Sequence, residues 1–403
     1  MLELTKVTGW AIGKLADVAN VVSGGTPSRS IPEYWSPDII PWATPTDITR
    51  CHSVYLTETA EAISEKGLKH SSANLLPAGS VLMTSRATLG SSKIALRPTC
   101  TNQGFKSLVP KAENSGLFLK YWMEFTKSHY ANLGTGTTFM EVNKRDTENF
   151  PVYLIPEVEQ KRIAEVLVTV DEQIEITLAQ LDKIRILKRA IYKDFLDEIE
   201  NEAAQVELSS LSSFITSGPR GWAQFYTLND TFPAFLRIGN LTREHINFRA
   251  SELIRVAPPL GHEGGRTLLK KDDILISITA DLGVIACVDE NFEGSYINQH
   301  IAMVRLDPAK VNPRFIAHQL WGSEGQNQFK ALNDSGAKAG LNLPTIGRLK
   351  VWVPKRARQD YISETLDGLD TNISEVEREM RKLKSLKASL VSDLLTGKTR
   401  VPC

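Results

Sequence analysis

The amino-acid sequence repeats itself along most of its length, and this duplication constrains the fold more than any other feature. The run Leu76–Gly90 matches Leu269–Gly283 at a constant offset of 193 residues. Later matches keep the same order while the offset grows to 196 and then 199, as surface-loop insertions would cause. They pair Asn102-Gln103 with Asn298-Gln299, Asn143 with Asn342, Gln160 with Gln359 and Ile163 with Ile362. The sequence therefore predicts two copies of one fold in tandem.

Each half divides into a globular part and a helical part. Residues 1–156 and 201–354 hold short runs of Val, Ile, Leu, Tyr and Trp broken by Gly, Pro, Asn and Ser, which is typical of short strands and turns with some helix. Residues 157–200 and 355–396 contain no Pro and, apart from Gly368, no Gly. We therefore predict an α+β fold. Its globular domains span 1–156 and 201–354, one long helix spans 157–200, and a second long helix with a C-terminal tail spans 355–403.

Both helical parts carry a narrow apolar stripe with steps of three and four residues. The stripes are Ile163, Leu167, Val170, Ile174, Leu178, Leu181, Ile184, Leu187, Ile191 and Phe195, and Ile362, Leu366, Leu369, Ile373, Val376, Met380, Leu383, Leu386, Leu390 and Leu394. Such stripes predict helices of about 40 residues and roughly 60 Å that pair as an antiparallel coiled coil. The alternative is two separate surface helices, each on its own domain. A compact domain of this size has a radius of gyration of only roughly 15 Å, which disfavours that alternative.

Composition excludes several classes of protein. The 403 residues include 47 Lys and Arg against 47 Asp and Glu, so a polyanion binder that uses its whole surface is not expected. Residues 1–155 carry a net charge of +2 and residues 201–355 a net charge of +1, so a local basic groove is still compatible. No run approaches the roughly 18–20 apolar residues of a membrane span, and the first residues do not resemble a signal peptide. The four cysteines form no CxxC pair, which favours a cytoplasmic location.

Catalytic signatures are missing from the sequence. It contains no P-loop, no Rossmann glycine motif, no HExxH and no GxSxG elbow, and its seven histidines do not have metal-ligand spacing. The polar residues that recur in both halves are amides, which bind or cap more often than they catalyse. The sequence therefore favours a binding protein over an enzyme.

Several short runs, taken in order, resemble a known family. They are Trp10-x4-Leu15-x2-Val18, Gly24-Gly25-Thr26-Pro27-Ser28, Leu76-Pro77-Ala78-Gly79-Ser80-Val81-Leu82, and the helix junctions Ile155–Ile163 and Val353–Ile362. The chain resembles, over essentially its full length, the DNA-specificity subunit of bacterial type I restriction–modification systems. The second junction keeps Pro, Gln and Ile but has Arg358 where the first has Glu159.

The resemblance implies a division of labour. Each globular part would be a target-recognition domain that reads one half of a bipartite site in double-stranded DNA, and the helices would fix the spacing of the halves and dock modification (methyltransferase) subunits. A restriction/translocase subunit would complete the complex. No cofactor is expected in this chain, because S-adenosylmethionine, ATP and Mg would be held by the partner subunits.

The DNA-contacting residues are predicted from chemistry, since recognition positions differ among family members. Loops that combine Gly with Ser, Thr, Arg or Lys let backbone amides approach phosphates and let Arg read guanine edges. The candidates are Thr26, Ser28, Arg29, Thr84, Ser85, Arg86, Thr137, Lys144 and Arg145 in the first domain, and Arg220, Trp222, Arg237, Asn240, Arg243 and Lys338 in the second. Each could instead be a solvated loop charge or a turn cap. Asn143 and Asn342 are expected to be structural, because they match across domains that should read different sequences.

Two other hypotheses stay open on the sequence alone. One is a coiled-coil adaptor with two protein-binding domains, for which the neutral net charge is the best support. The other is a fragment of a fused enzyme whose catalytic part lies elsewhere.

Overall fold

The computed structural model describes residues 4–135, 140–249, 253–259, 262–334 and 341–401. The chain divides into two compact units. The first comprises residues 1–178 and 379–403, and the second comprises residues 179–378. No helix in the described ranges is long and apolar enough to cross a membrane.

The globular part of the first unit is built from short strands and helices. In chain order these are β1 (Ala11–Lys14), α1 (Leu15–Val18), β2 (Ala19–Ser23), β3 (Ile40–Ala43), α2 (Pro45–Arg50), β4 (Tyr55–Leu56), β5 (Glu61–Ile63), α3 (Glu65–Lys69), β6 (Val81–Met83), β7 (Ser92–Ala95), β8 (Cys100–Thr101), β9 (Lys106–Pro110), α4 (Gly116–Phe125), α5 (Lys127–Ala131), α6 (Lys144–Glu148) and β10 (Pro151–Leu154). The long helix α7 (Glu157–Glu202) follows.

The globular part of the second unit repeats this plan. Its elements are β11 (Gln205–Glu207), α8 (Leu208–Leu211), β12 (Ser212–Ser217), β13 (Tyr226–Thr227), β14 (Ala234–Leu236), β15 (Ile254–Val256), α9 (His262–Arg266), β16 (Ile274–Ser277), β17 (Ile285–Cys287), β18 (Tyr296–Ile297), β19 (Ile301–Leu306), α10 (Pro313–Trp321), α11 (Ser323–Asp334), α12 (Leu343–Gly347) and β20 (Lys350–Trp352). The second long helix is α13 (Arg356–Leu395).

The two globular parts share their central sheet topology and differ in the number of edge strands. A two-stranded antiparallel sheet joins β1 to β10 in the first and β11 to β20 in the second. The main sheets have the orders β2-β9-β6-β7-β4 and β12-β19-β16-β17. In the smaller sheets, β5-β3-β8 and β13-β15-β14-β18, strand β3 pairs parallel with β8 as β14 does with β18. The predicted duplication is confirmed at the level of topology.

The turns before the central strands show why the repeated runs fold alike. The strands β6 and β16 are continuous apolar runs buried on both faces. Each follows a turn that needs a positive φ, which is supplied by Gly79 at +85° in one half and by Asp272 at +68° in the other. Glycine adopts this conformation without strain, and Asp is among the few other residues that tolerate it.

Each unit packs its globular part onto segments of both long helices. In the first unit, Ile163 of α7 and Leu394 of α13 lie in one apolar core with Trp122 of α4. In the second, Leu196 of α7 and Leu366 of α13 lie in one core with residues of β16 and α10. The cores therefore hold the helices and the sheets together within each unit.

Within each unit the helices pair in opposite directions, as predicted. In the first, Ile163 and Leu394 share one core and Asp171 pairs with Lys387, so the residue numbers rise along α7 while those of its partners in α13 fall. In the second, Leu181 packs on Val376 and Ile373, whereas Lys188, further along α7, meets Asp370, which comes earlier in α13.

The predicted apolar stripes are wrong at two positions. Leu187 and Leu386 are 50% and 49% exposed, and the following residues, Lys188 and Lys387, face inward instead. The reason is electrostatic, because each lysine meets an aspartate of the opposite helix, which residue spacing alone does not reveal.

Candidate nucleic-acid interface

Loops that are far apart in the sequence are brought together in the first unit. These loops are 24–30, 84–91, 101–105 and 140–143, and we call them the first loop cluster. Backbone hydrogen bonds join them, from Gly24 N to Phe105 O, Gly25 N to Thr101 O, Ser85 N to Gly104 O and Val142 N to Ser85 O. The predicted candidates Thr26, Ser28, Arg29, Thr84, Ser85 and Arg86 all belong to this cluster.

The second unit builds the same framework from the loops 218–222, 277–283 and 298–301, which we call the second loop cluster. Its backbone bonds run from Gly218 N to Ile301 O, Ile278 N to His300 O and Leu341 N to Ile278 O. A Cβ atom on Gly24 or Gly218 would lie 1.9 Å or 2.1 Å from a backbone oxygen. Both glycines are therefore required by the close approach of two loops.

Matched polar residues hold these loops in shape. Asn102 Oδ1 accepts a hydrogen bond from Gly104 N at 2.9 Å, and Asn298 Oδ1 accepts one from His300 N at 3.1 Å. Side-chain oxygens of Asn form such turns by standing in for a backbone carbonyl. The hydroxyl of Thr84 donates to Thr88 O at 2.5 Å, and Ser277 Oγ donates to Asp281 O in the equivalent turn. Thr84 thus has a structural role, which its sequence context does not distinguish from a DNA contact.

Arg29 is exposed but firmly held. Its Nη1 and Nη2 atoms lie 2.5 and 2.8 Å from the two carboxylate oxygens of Glu61, and its guanidinium lies 3.7 Å from the ring centre of Trp35. The hydrogen bonds to Glu61 raise the pKa of Arg29. Neighbouring Ser28 is also exposed and its hydroxyl contacts Ser30 at 2.8 Å, whereas Thr26 bonds to Gln103.

Arg86 belongs to a small charged network. Its Nε lies 2.8 Å from Glu141 Oε2, and the buried Lys106 Nζ lies 3.1 Å from Glu141 Oε1. Burial raises the pKa of Glu141, but the hydrogen bonds to the two cations outweigh it and the net pKa is lowered. The network carries one net positive charge at the surface of the first loop cluster.

Helix α6 follows the first loop cluster and carries two further candidates. Lys144 and Arg145 are exposed in its first turn, and Asn143 caps it by accepting from Asp146 N at 2.9 Å. Asn342 caps α12 in the same way, accepting from Thr345 N at 2.9 Å. The structural role expected for these two asparagines is confirmed.

Besides Thr84, three further candidates are buried side chains. Ser85, Trp222 and Asn240 are each less than 5% exposed. Trp222 packs against Phe235 and Tyr296 in the smaller sheet of the second unit. In this conformation these side chains support loops and do not face solvent.

The arginines of the second unit differ in their exposure and in their hydrogen-bond partners. Arg220 is exposed and meets no acidic group in the described part of the chain. Arg237 has a buried Nε with no hydrogen-bond partner among the described residues. Arg243, in contrast, bonds to Asp281, Leu282 O and Gln326 beside a surface cleft of about 440 Å³. Thr137 and Lys338 lie outside the described residues.

Two glutamines of the loop clusters lie outside the set of contacts that the sequence predicts, although they belong to the repeated Asn-Gln pair. Gln103 is exposed in the first cluster, and Gln299 is its equivalent in the second, where its Nε2 lies 3.0 Å from His300 Nε2. The repeated Asn-Gln pair is the signal for these two residues in the sequence. In both halves the asparagine forms a turn with its side-chain oxygen, and the glutamine does not. Among the described residues, no cluster of His, Cys, Asp or Glu could hold a metal ion.

Residues 8–185 and 262–386 match the sequence profile of the family described as type I restriction modification DNA specificity domain. The specificity subunit of the type I restriction enzyme MjaIX from Methanocaldococcus jannaschii is 34% identical over 194 residues, which cover 47% of this chain and 44% of that protein. The match therefore spans less than half the length of that relative. The EcoprrI specificity subunit from Escherichia coli is 26% identical over 376 residues, covering 90% of this chain and 89% of that protein.

A solved structure supports the fold. The crystal structure of the S subunit of a type I restriction–modification system from M. genitalium has a TM-score of 0.67 with this chain at 14% identity, and the match covers 98% of both. The profile match extends over more than half of the chain and includes both units. The chain therefore belongs to the family of type I restriction–modification DNA-specificity subunits, as its sequence predicts.

Proposed function

We propose that each globular domain reads one half of a bipartite, asymmetric site in duplex DNA. The recognition domains would span 1–156 and 201–354, and the helical parts at 157–200 and 355–403 would separate them. The observation that carries this proposal is the duplicated loop cluster, whose backbone framework is the same in both units while the exposed side chains differ. A reader of two different sequences needs this combination, because the framework positions the loops and the side chains choose the bases.

The side chains best suited to contact DNA are those that are exposed on or beside the loop clusters. In the first domain we assign this role to Ser28, Arg29 and Arg145, and in the second to Arg220. Arg237 is half-buried, but its Nε has no hydrogen-bond partner among the described residues, so we assign the same role to it. Arginine reads guanine O6 and N7 with two parallel hydrogen bonds, and it also binds phosphate. The amide groups of Gln103 and Gln299 suit adenine N6 and N7 in the same way.

Arg29 can read a base without leaving Glu61. The carboxylate of Glu61 accepts one hydrogen bond from each terminal nitrogen of Arg29. The Nε–H group and the second N–H of Nη2 are left as donors on one edge of the guanidinium. These two donors form a side-on fork of the kind that binds guanine or phosphate. Stacking on Trp35 reduces the conformational freedom that binding would otherwise remove.

The long helices are proposed to dock the modification subunits. Support comes from Leu187 and Leu386, which occupy equivalent positions 199 residues apart and are both about half exposed. Each is preceded four residues earlier by an exposed lysine, Lys183 or Lys382. Two equivalent apolar spots suit two copies of one partner, as a pseudo-symmetric chain would require.

The remaining chemistry belongs to partner subunits in this proposal. Modification subunits would hold S-adenosylmethionine and methylate adenine, and a restriction/translocase subunit would use ATP and Mg. The site of action is the cytoplasm, where the DNA lies. The nearly neutral globular domains give little counterion-release energy, so we expect tight binding only from the assembled complex.

Competition binding by the assembled complex tests the proposal. Arg220→Ala should cost about 1–3 kcal/mol at the cognate site and relax the sequence preference in one half only. Arg29→Ala is the matched control, because it should relax the preference in the other half. If both variants lose affinity equally for cognate and random DNA, these arginines bind phosphates and other residues read the bases. If the wild-type complex has no sequence preference, the proposal is wrong.

A further inference from the structure

The two inward-facing lysines of the long helices are the same feature occurring twice. Lys188 and Lys387 are 199 residues apart, the offset that relates the two halves at this point. The leucine before each one is turned to solvent, although a leucine facing inward would continue the apolar stripe. Both helices therefore place a charge where the simple pattern would place an apolar side chain.

Each lysine meets an aspartate of the other helix. Lys188 Nζ lies 2.5 Å from Asp370 Oδ1, and both side chains are 0% exposed. Lys387 Nζ lies 2.9 Å from Asp171 Oδ1. Asp171 and Asp370 are also related by 199 residues, so each helix supplies one aspartate and, seventeen residues later, one lysine.

Stability alone does not account for such pairs. Removing two charges from water costs about as much as their attraction returns, and apolar replacements are often at least as stable. What buried polar groups determine in paired helices is alignment. The rest of the two stripes consists of Ile, Leu, Val, Met and Phe at heptad-like spacing, so a slip of seven residues would still place many apolar residues opposite one another.

The pattern of charges is complementary in one alignment. With the helices antiparallel and in the observed register, each lysine faces an aspartate. In a parallel alignment of equivalent positions, Lys188 would face Lys387 and Asp171 would face Asp370, which buries like charges. A slip of seven residues towards Leu369 would place Asp370 opposite Leu181 and Asp171 opposite Met380, and neither lysine would face an acid. Each unpaired buried charge would cost several kcal/mol.

Each pair also bonds to the globular part of its own unit. Asp370 Oδ2 accepts a hydrogen bond from Ile246 N at 3.0 Å, and Lys188 Nζ lies 3.3 Å above the ring of Trp321. In the first unit, Asp171 Oδ2 accepts from the hydroxyl of Tyr121 at 2.7 Å. Each pair thus joins three elements, namely the two helices and the globular part that packs on them.

We propose that Lys188–Asp370 and Lys387–Asp171 are positioning residues that set the direction and register in which the long helices pair. If the proposed function holds, this register also determines the number of base pairs that the chain requires between its two half-sites, and this part of the inference rests on the proposed function. The competing explanation is that the apolar cores, which contain residues of both helices in each unit, set the register alone.

The test uses a neutral variant of the full chain, D171N/K188M/D370N/K387M. Asparagine keeps an oxygen for Ile246 N and the Tyr121 hydroxyl, and methionine keeps the length of lysine while removing its charge and its N–H donors. The matched control is the exchanged variant, D171K/K188D/D370K/K387D, which restores both pairs with opposite polarity. A half-exchanged variant, D171K/K188D, opposes like charges in both pairs and should lower the unfolding temperature.

Register is measured by disulfide formation, with Cys51 and Cys403 replaced by serine. Leu181→Cys with Val376→Cys reports the observed register, because these residues share one apolar cluster. Leu181→Cys with Leu369→Cys reports a slip of seven residues. In the neutral variant we expect the yield of the slipped disulfide to be at least about tenfold higher than in the chain that keeps all four charges. In the exchanged variant we expect this yield to return to the level of the chain with the native charges. If the neutral variant forms only the native disulfide, the cores alone set the register and the proposal is overturned.

Spacer selection by the assembled complex gives the second readout. The wild type should accept one spacer length, and the neutral variant should bind sites with longer or shorter spacers within about tenfold of its best site. If the disulfides show slippage while spacer selection stays sharp, the link from register to spacer is wrong. If the wild-type complex selects no bipartite site, the proposed function fails, and the disulfide result still decides the role of the ion pairs.

Discussion

Truncation of Leu181 to alanine should destabilise the helix pair far more than the same change at Leu187. Both leucines lie on α7, six residues apart, but Leu181 is 5% exposed and Leu187 is 50% exposed. Leu181 packs against Ile373 and Val376 of α13 in an apolar cluster that also includes Ile184. The comparison keeps the chemical change and the helix propensity constant and varies only the burial.

The size of the effect follows from the local packing. Buried Leu→Ala substitutions cost about 2–5 kcal/mol, and the cost is lowest where the surroundings can relax into the cavity. Among the described residues, the cluster around Leu181 contains only a few side chains, all from α7 and α13, so we expect about 2–3 kcal/mol. Leu187→Ala removes a half-exposed side chain and should change the unfolding free energy by less than about 0.5 kcal/mol.

Urea unfolding followed by circular dichroism at a helix-sensitive wavelength measures both variants. A lower midpoint at an unchanged slope reports lost stability, whereas a changed slope reports loss of two-state behaviour. Equal midpoints for the two variants would contradict the pairing of α7 with α13 along Leu181. A larger loss in Leu187→Ala would mean that the opposite face of α7 is the buried one.

Three further predictions concern charge, capping and docking. Burial raises the pKa of Glu124, but Lys120 and Lys387 outweigh it and hold this pKa at about 2, below its ordinary 4.5. The carboxylate therefore stabilises the fold above pH 4.5 and loses this effect as the pH falls towards 2, so E124Q should flatten the urea midpoint between these limits. Asn342→Ala removes the cap of α12 and should cost about 1 kcal/mol in the same assay. Leu386→Asp should leave stability unchanged but remove one bound modification subunit in sedimentation analysis, and two retained copies would refute the docking proposal.

The duplication and the long helices could be predicted from the sequence because both depend on local or periodic signals. The offsets that align the halves also align their strands, and the helix predicted at 157–200 is observed at Glu157–Glu202. The stripes predicted the paired faces except at Leu187 and Leu386. Those two exceptions depend on partners in the other helix, about 180 residues away or more, which periodicity cannot identify.

The sequence predicts which loops form the candidate site, but it does not predict the role of each side chain on them. The loops that combine Gly with Ser, Thr and Arg do come together, because strand pairing in the main sheet brings their ends side by side. Whether an arginine forms an ion pair depends on Asp and Glu side chains that are distant in the sequence and are brought near it by the fold. Arg29 and Arg86 meet Glu61 and Glu141, which are 32 and 55 residues away, while Arg220 meets none in the described ranges. No spacing in the sequence distinguishes these cases.

The central claim is that the two halves of the chain each read one half of a DNA site. Selection of duplexes from a random library by the assembled wild-type complex tests it most directly. The account predicts two short specified blocks with different sequences, separated by an unspecified spacer of one length near a turn of the double helix. Recovery of a single continuous motif, or of no motif from a complex that still binds DNA, would contradict it.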